Sequence, residues 1–71
     1  MPLAMVQEGR RVRVIGIHGG RKLQGRLAAM GLVPGVEIEV IRNGFHGPFI
    51  VGIKGSRVMM GRGMAFKIQV Q

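Results

Sequence analysis

Glycine interrupts this chain so often that no regular element can be long. Thirteen of the 71 residues are glycine, and short runs of alternating apolar and polar residues lie between them. In the first such run, Val12 and Val14 alternate with Arg11 and Arg13, a period typical of a strand with one face in water. Because glycine has no Cβ, it fits the tight corners that short strands need. The pattern therefore predicts a small, mostly β domain with sharp turns.

Runs with the same alternation recur along the chain, and residues typical of turns separate them. The predicted strands are 10–17, 36–40, 49–53, 58–60 and 65–70. Asn43-Gly44 after Arg42 is typical of a hairpin connection. Lys54-Gly55 is a second turn signal, between the third and fourth predicted strands.

One segment between the first two strands has a helical period. It begins near Arg21, and its apolar stripe consists of Leu23, Leu27 and Met30 at spacing i, i+4 and i+7. Gly31 follows the stripe as a helix C-cap would. We therefore expect one short helix, with Leu27 and Met30 closing the mouth of a barrel.

Five short strands with one helix between the first and second predict an SH3-like barrel that forms a single domain over residues 1–71. The chain has no cysteine, so neither disulfides nor thiolate metal sites can supplement its core. Its stability must come from burial of aliphatic side chains, because a domain of this size removes only about 60% of its unfolded surface from water.

The charge balance is strongly basic. Eleven Lys and Arg oppose three Glu, for a formal net charge of +8. Such a field attracts nucleic acid, anionic lipid or an acidic protein surface, and it also promotes solubility by itself. The first residues lack the basic start and long apolar run of a secretory signal, and 27–33 is too short to span a bilayer. We expect a soluble, cytoplasmic protein.

Few residues could support catalysis. The chain has no Cys or Asp and a single Ser. Glu37 and Glu39 lie two apart on a predicted strand and hence on the same wet face, but no nucleophile or oriented base accompanies them. We interpret them as solvated charges facing nearby arginines, and we expect no enzymatic activity and no cofactor.

Metal and phosphate sites are also poorly supported. His18 and His46 are the only histidines, and neither forms a spacing that brings two ligands onto one helix face. The glycine-rich stretch 16–22 includes the start of the predicted helix and carries two cations, but it lacks the spacing of a phosphate-binding P-loop. We therefore predict no intrinsic metal site.

The stretch 26–38 carries a more specific pattern. It reads Arg-Leu-Ala-Ala-Met-Gly-Leu-Val-Pro-Gly-Val-Glu-Ile, and it resembles the signature of the ferrous iron transport protein A (FeoA) family. The similarity extends from about Glu8 to Val70. The chain departs from the family pattern at 61–64, where Gly-Arg-Gly-Met replaces the usual charged residues. The fold is also similar to the C-terminal domain of iron-dependent regulators of the diphtheria-toxin-repressor type.

The resemblance implies an accessory protein of bacterial ferrous iron uptake that acts on the cytoplasmic GTP-binding part of a FeoB-type membrane transporter. Our hypothesis is that Arg21, Lys22 and Arg26 on the helix, with Leu27 at its edge, dock on that partner. Positive charge would also favour association with anionic lipid at the inner face of the membrane. A leucine at helical spacing is usually a core residue, so Leu27 has a structural interpretation as well.

Two other partners remain open at this point. A basic barrel can bind nucleic acid through backbone phosphates, although Phe49 and Phe66 are expected near the core and only Phe45 in a loop, which leaves few aromatics for base stacking. A proline-rich or glycine-rich peptide could bind in a groove, but this too is disfavoured by the scarcity of exposed aromatics.

Overall fold

The computed structural model describes residues 1–44 and 46–71, so the interpretation of Phe45 as a loop residue lies outside the described part. After a 3-10 helix at Leu3–Met5, the elements in chain order are β1 (Arg11–Ile17), α1 (Arg21–Ala29), β2 (Glu37–Arg42), β3 (Phe49–Ile53), β4 (Ser56–Met60), α2 (Arg62–Lys67) and β5 (Ile68–Val70). The strands form one antiparallel sheet in the order β4-β3-β2-β1-β5. The predicted mostly β fold, with a helix after the first strand, is confirmed.

β1 pairs with β2 on one side and with β5 on the other. Val12 and Val14 are buried while Arg11 and Arg13 are exposed, as the alternation predicts. The register with β5 shifts after Val14, so that Ile15 forms a bulge and is exposed. The shift re-aims the end of β1, which leads into α1.

The predicted last strand is wrong in its first half. Residues 62–67 form α2, and only Ile68–Val70 form β5. Burial here recurs at Ala65 and Ile68, three residues apart, while Phe66 is 49% exposed. A spacing of three matches a helical turn and not a strand. The expectation of a single helix, and of Phe66 near the core, is corrected accordingly.

The N-terminal residues, for which the sequence pattern predicts no element, belong to the core. Leu3, Ala4 and Val6 are buried. Pro2 bridges to Gln69, and the backbone of Met1 exchanges two hydrogen bonds with that of Val70, at 2.9 Å and 2.8 Å. The start of the chain therefore covers the outer edge of β5.

The core is a single apolar cluster enclosed by the sheet, α1 and α2. Its buried members are Leu3, Ala4, Val6, Val12, Val14, Leu27, Leu32, Ile38, Val40, Phe49, Val51, Ile53, Met60, Ala65, Ile68 and Val70. Met30 is not among them: it caps α1 and is 38% exposed. The expectation that Met30 helps to close the barrel is therefore wrong, whereas Leu27 does so.

Candidate docking surface at the α1 end

The end of α1 has the backbone geometry of a Schellman motif. The Gly31 N–H donates to the Ala28 carbonyl at 2.9 Å, and the Leu32 N–H donates to the Leu27 carbonyl at 2.9 Å. Gly31 has a φ of +89°, a left-handed conformation that glycine adopts without strain. Leu27 and Leu32, the two residues joined by the outer bond, are both fully buried. The Leu…Met-Gly-Leu part of the family-like stretch thus ends the helix and returns the chain to the core.

The next four residues form a turn that is bound to β1. Pro34 and Gly35 occupy its central positions, Gly35 has a φ of +97°, and the Val36 N–H donates to the Val33 carbonyl at 3.2 Å. Proline followed by a residue of positive φ is typical of a type II turn. The Gly35 N–H donates to the Val14 carbonyl at 2.7 Å, and the Val14 N–H donates to the Val36 carbonyl at 2.9 Å. This turn therefore has a fixed position on the sheet.

A first groove, which we call the motif groove, lies beside this turn. One wall is α1 and the other is the end of β1 with the segment after α1; the lining residues are Ile17, Gln24, Gly25, Ala28, Leu32, Val33 and Pro34. Its volume is about 320 Å³, and most of its lining is apolar. Val33 is 41% exposed, so this surface is open to water.

A second groove, which we call the basic groove, adjoins the first along Val33 and Pro34. It is lined by Arg13, Ala28, Gly31, Val33, Pro34, Gly35, Val36, Glu37 and Lys54. The Arg13 Nη1 donates to the Gly35 carbonyl at 3.1 Å, which holds the guanidinium beside the turn. The two grooves together form an apolar surface with cationic side chains at one end.

The three cations predicted to dock are exposed on α1. Lys22 and Arg26 are four residues apart and lie on one side of the helix, whereas Arg21 lies on the side of Gly25 and Ala28 that faces the motif groove. The structure therefore distributes these cations over two adjoining sides of α1. None of them has an ion-pair partner among the described residues.

Leu27 does not share that exposure. It is the one fully buried residue of α1, with no accessible surface. A side chain in this position cannot contact a partner. It packs into the core and so anchors α1 to the rest of the domain. The structural interpretation given for it in the sequence analysis is the one that its burial supports.

The opposite end of the sheet carries a hydrogen-bonded cluster that sequence reasoning missed. Asn43 Nδ2 donates to the carbonyls of Ala4 at 3.1 Å and Val6 at 2.6 Å. Arg62 donates to Asn43 Oδ1 and to the Gly44 carbonyl, the latter at 3.2 Å. We call Asn43 and Arg62 with these carbonyls the polar clasp, because it ties the N-terminal segment, the end of β2 and α2 together. Its partners are far apart in sequence, so no local pattern indicated it.

The carboxylates of β2, Glu37 and Glu39, lie on the outer face of the sheet. Arg11 Nη1 lies 3.5 Å from Glu37 Oε1, with both side chains more than half exposed. This agrees with the interpretation of Glu37 as a solvated charge facing an arginine. Glu39 shares with these two a cavity of about 250 Å³ on the outer face of the sheet.

The two histidines lie apart from these groups. His18 follows β1 and His46 lies in the segment between β2 and β3, and both are exposed. Over residues 1–44 and 46–71, no three His, Cys, Asp or Glu side chains come together in a way that could hold a metal ion. Within the same ranges, neither helix has the length and apolar character needed to cross a membrane.

Comparisons with known proteins agree with this architecture. The model of the FeoA domain family matches residues 1–71. A protein of Methanocaldococcus jannaschii named "Putative Fe(2+) transport protein A" is 44% identical over 70 residues, which cover 99% of this chain and 84% of that protein. A crystal structure described as an iron uptake regulatory protein (FeoA) superposes with a TM-score of 0.93 at 34% identity, covering 100% of this chain and 95% of the other.

A more distant structure indicates the fold class. FeoA of Stenotrophomonas maltophilia in complex with zinc, described as a procaryotic SH3 domain protein, has a TM-score of 0.83 at 22% identity and covers 100% of this chain and 89% of its own. At that identity the likeness shows the fold alone, which is SH3-like. Together with the family match over the full length, these comparisons show that the chain belongs to the FeoA domain family.

Proposed function

We propose that this protein is a non-catalytic accessory of ferrous iron transport that binds the cytoplasmic GTP-binding domain of a FeoB-type transporter. Its relatives named for Fe(2+) transport and iron uptake support the first part of this proposal. The cationic sides of α1, formed by Arg21, Lys22 and Arg26, are the surface that we assign to the partner. Such a protein works on the cytoplasmic side, near the headgroups of the membrane that holds the transporter.

The observation that carries the docking surface is the unfavourable placement of two of its three charges; the third, Arg26, lies in the last turn of α1, where a cation suits the helix dipole. Arg21 and Lys22 are the first two residues of α1, and the first turn contains no acidic residue. The helix dipole favours negative charge at this end, so two cations there destabilise the helix slightly. No described carboxylate pairs with them. Since these charges do not serve the fold, binding to an acidic partner is the reason we assign to them.

Electrostatic complementarity of this kind acts mainly on the rate of encounter and on specificity. An acidic patch on the transporter domain would attract the α1 end before contact, and anionic lipid would concentrate the protein near the membrane. Leu27 enters the proposal only as the residue that holds α1 in place, because it is buried.

Charge reversal on α1 tests the proposal. In the double variant Arg21→Glu with Arg26→Glu, we expect binding to the purified cytoplasmic domain to weaken by about tenfold or more, with a smaller dependence on salt between about 50 and 300 mM. The measurement is the dissociation constant from calorimetry, accompanied by circular dichroism. Glutamate at position 21 suits the helix dipole and glutamate at position 26, in the last turn, opposes it. The two effects offset each other, so the barrel should stay folded.

The matched control is Arg57→Glu with Lys67→Glu, which has the same net charge but leaves α1 intact. We expect this control to bind within about threefold of the unmodified protein, since its effect is limited to long-range steering. Equal losses in both variants would show that only bulk charge matters and would defeat the α1 assignment. If instead all forms bind a duplex DNA with a steep salt dependence and none binds the transporter domain, the protein is a nucleic-acid binder.

A further inference from the structure

We propose that the motif groove and the basic groove together bind an extended segment of a partner protein, with an apolar side chain in the first and acidic side chains toward Arg13 and Lys54 in the second. The inference rests on the proposed function in one respect: the identity of the partner protein that carries the segment. It assigns a second contact, which adjoins Arg21 on the groove side of α1 and is separate from Lys22 and Arg26 on the other side.

The apolar part of the surface is suited to an aliphatic side chain. The motif groove has a volume of about 320 Å³ between α1 and the ridge formed by Val33 and Pro34. Among the residues that the structure describes, no aromatic side chain lines it. Grooves that recognise polyproline segments depend on aromatic walls, so the geometry favours an aliphatic side chain over a proline-rich ligand.

The charged part has two cations that internal contacts leave available. Glu37 also lines the basic groove, but its Oε1 lies 3.5 Å from Arg11 Nη1. The Arg13 guanidinium donates one hydrogen bond to the Gly35 carbonyl, which orients it and leaves its other N–H groups for a carboxylate. Lys54 makes no ion pair with a described residue.

The backbone at Lys54 supplies an independent indication. Lys54 and Gly55 connect β3 to β4 with φ values of 47° and 84°. A two-residue turn with both φ values positive prefers Asn-Gly or Gly-Gly, and a lysine at its first position is strained. Lys54 is the one described non-glycine residue with a positive φ. Lys54 lines the basic groove, and its charge there is the reason we assign for a lysine at a position where asparagine would fold with less strain.

The occupant is a segment of another protein and not a second copy of this chain. Two copies, each with a formal net charge of +8, repel each other. The chain has only three acidic side chains. The Glu8 carboxylate accepts a hydrogen bond from the Asn43 N–H at 2.8 Å, Glu37 faces Arg11, and Glu39 is partly buried within β2. A copy of this chain thus has no free acidic segment to offer, whereas an acidic partner fits the groove's charge.

Titration with a short peptide tests the inference directly. The probe is a fluorescein-labelled peptide Gly-Ser-Leu-Ser-Glu-Glu-Gly-Ser, and its counterpart has both glutamates replaced by lysine. We expect the acidic peptide to shift the backbone amide NMR signals of Ala28, Gly31 and Gly35 and the lysine peptide to leave them unchanged. Absence of any shift at millimolar acidic peptide would overturn the proposal.

Two substitutions separate the role of the groove from folding. Lys54→Asn should keep or raise the melting temperature, because asparagine tolerates the left-handed conformation, and should weaken peptide binding by about threefold to tenfold. Val33→Asp should abolish peptide binding in a folded protein, because Val33 is 41% exposed. The matched control Arg57→Gln removes a cation from the same hairpin outside both grooves and should leave binding unchanged.

The same variants distinguish failure of this inference from failure of the proposed function. If Val33→Asp and Lys54→Asn bind the transporter domain normally while Arg21→Glu with Arg26→Glu does not, the groove assignment fails and the proposed function stands. If the peptide binds the grooves but the transporter domain does not bind the protein at all, the proposed function fails and the groove stands. A dimer in light scattering that Val33→Asp dissociates would assign the groove to a second copy and overturn the proposal.

Discussion

The two ends of β2 lie in regions that use polar residues in opposite ways. Beyond its C-terminal end, Asn43 and Arg62 form the polar clasp, in which side-chain donors and acceptors bind to groups of the same chain. Near its N-terminal end, Arg13 and Lys54 line the basic groove, and neither forms an ion pair with a described residue. Both regions are rich in polar side chains. The clasp end uses them to join distant segments of the chain, whereas at the groove end Arg13 makes a single hydrogen bond, to the Gly35 carbonyl, and Lys54 makes no ion pair with a described residue.

The difference separates stability from binding. An internally bonded polar cluster stabilises the fold because breaking it leaves buried groups without partners. Exposed cations without partners add little to stability, and two at the start of α1 oppose the helix dipole. The α1 end is instead anchored by apolar burial, above all of Leu27. Variants at the two ends should therefore separate loss of folding from loss of binding.

The largest expected effect is at Leu27, because α1 buries no other side chain fully. Leu27→Ala should lower the free energy of unfolding by about 2–5 kcal/mol, through lost transfer free energy and the cavity it leaves. Urea denaturation measures this, with the half-buried Leu23→Ala as the milder control. A fully stable Leu27→Ala protein that had lost only partner binding would contradict the buried role.

The next effect is at the polar clasp. Asn43→Ala removes two donated hydrogen bonds and the acceptor of Arg62, and it should lower the free energy of unfolding by about 1–3 kcal/mol. The folded fraction should bind the transporter domain and the acidic peptide as the unmodified protein does. Gln7→Ala, at an exposed position, is the control for urea denaturation. A specific loss of binding without loss of stability would show that the clasp end also contacts a partner.

The smallest effect is at the exposed ion pair of Arg11 and Glu37. Arg11→Gln should change the free energy of unfolding by less than about 0.5 kcal/mol, since exposed pairs are screened and lose side-chain entropy on forming. Thermal unfolding at low and high salt measures it. If the free energy of unfolding changed by more than about 1 kcal/mol and the change vanished at high salt, this exposed ion pair would contribute more to stability than we expect.

The local patterns predicted most of the α1 end. The alternation of valine with arginine indicated β1, the leucine spacing indicated α1, and Gly31 indicated where α1 ends. Each of these signals depends on residues within one turn of helix or one short strand, and the structure confirms them. The cations of the proposed docking surface were named from the same stretch and stay a prediction until binding is measured.

The sequence by itself determined the class of the fold, because the spacing of glycines and the alternation of apolar with polar residues leave few arrangements other than a small barrel. It also identified the family through one helix-to-turn stretch. Only the tertiary structure decided which polar side chains form hydrogen bonds within the chain. Asn43 meets Arg62, and Met1 meets Val70, across chain separations of 19 and 69 residues, and no local period encodes such contacts. The same long-range packing buried Leu27 and left Lys54 in the lining of a groove, because burial depends on what the rest of the chain places above a residue.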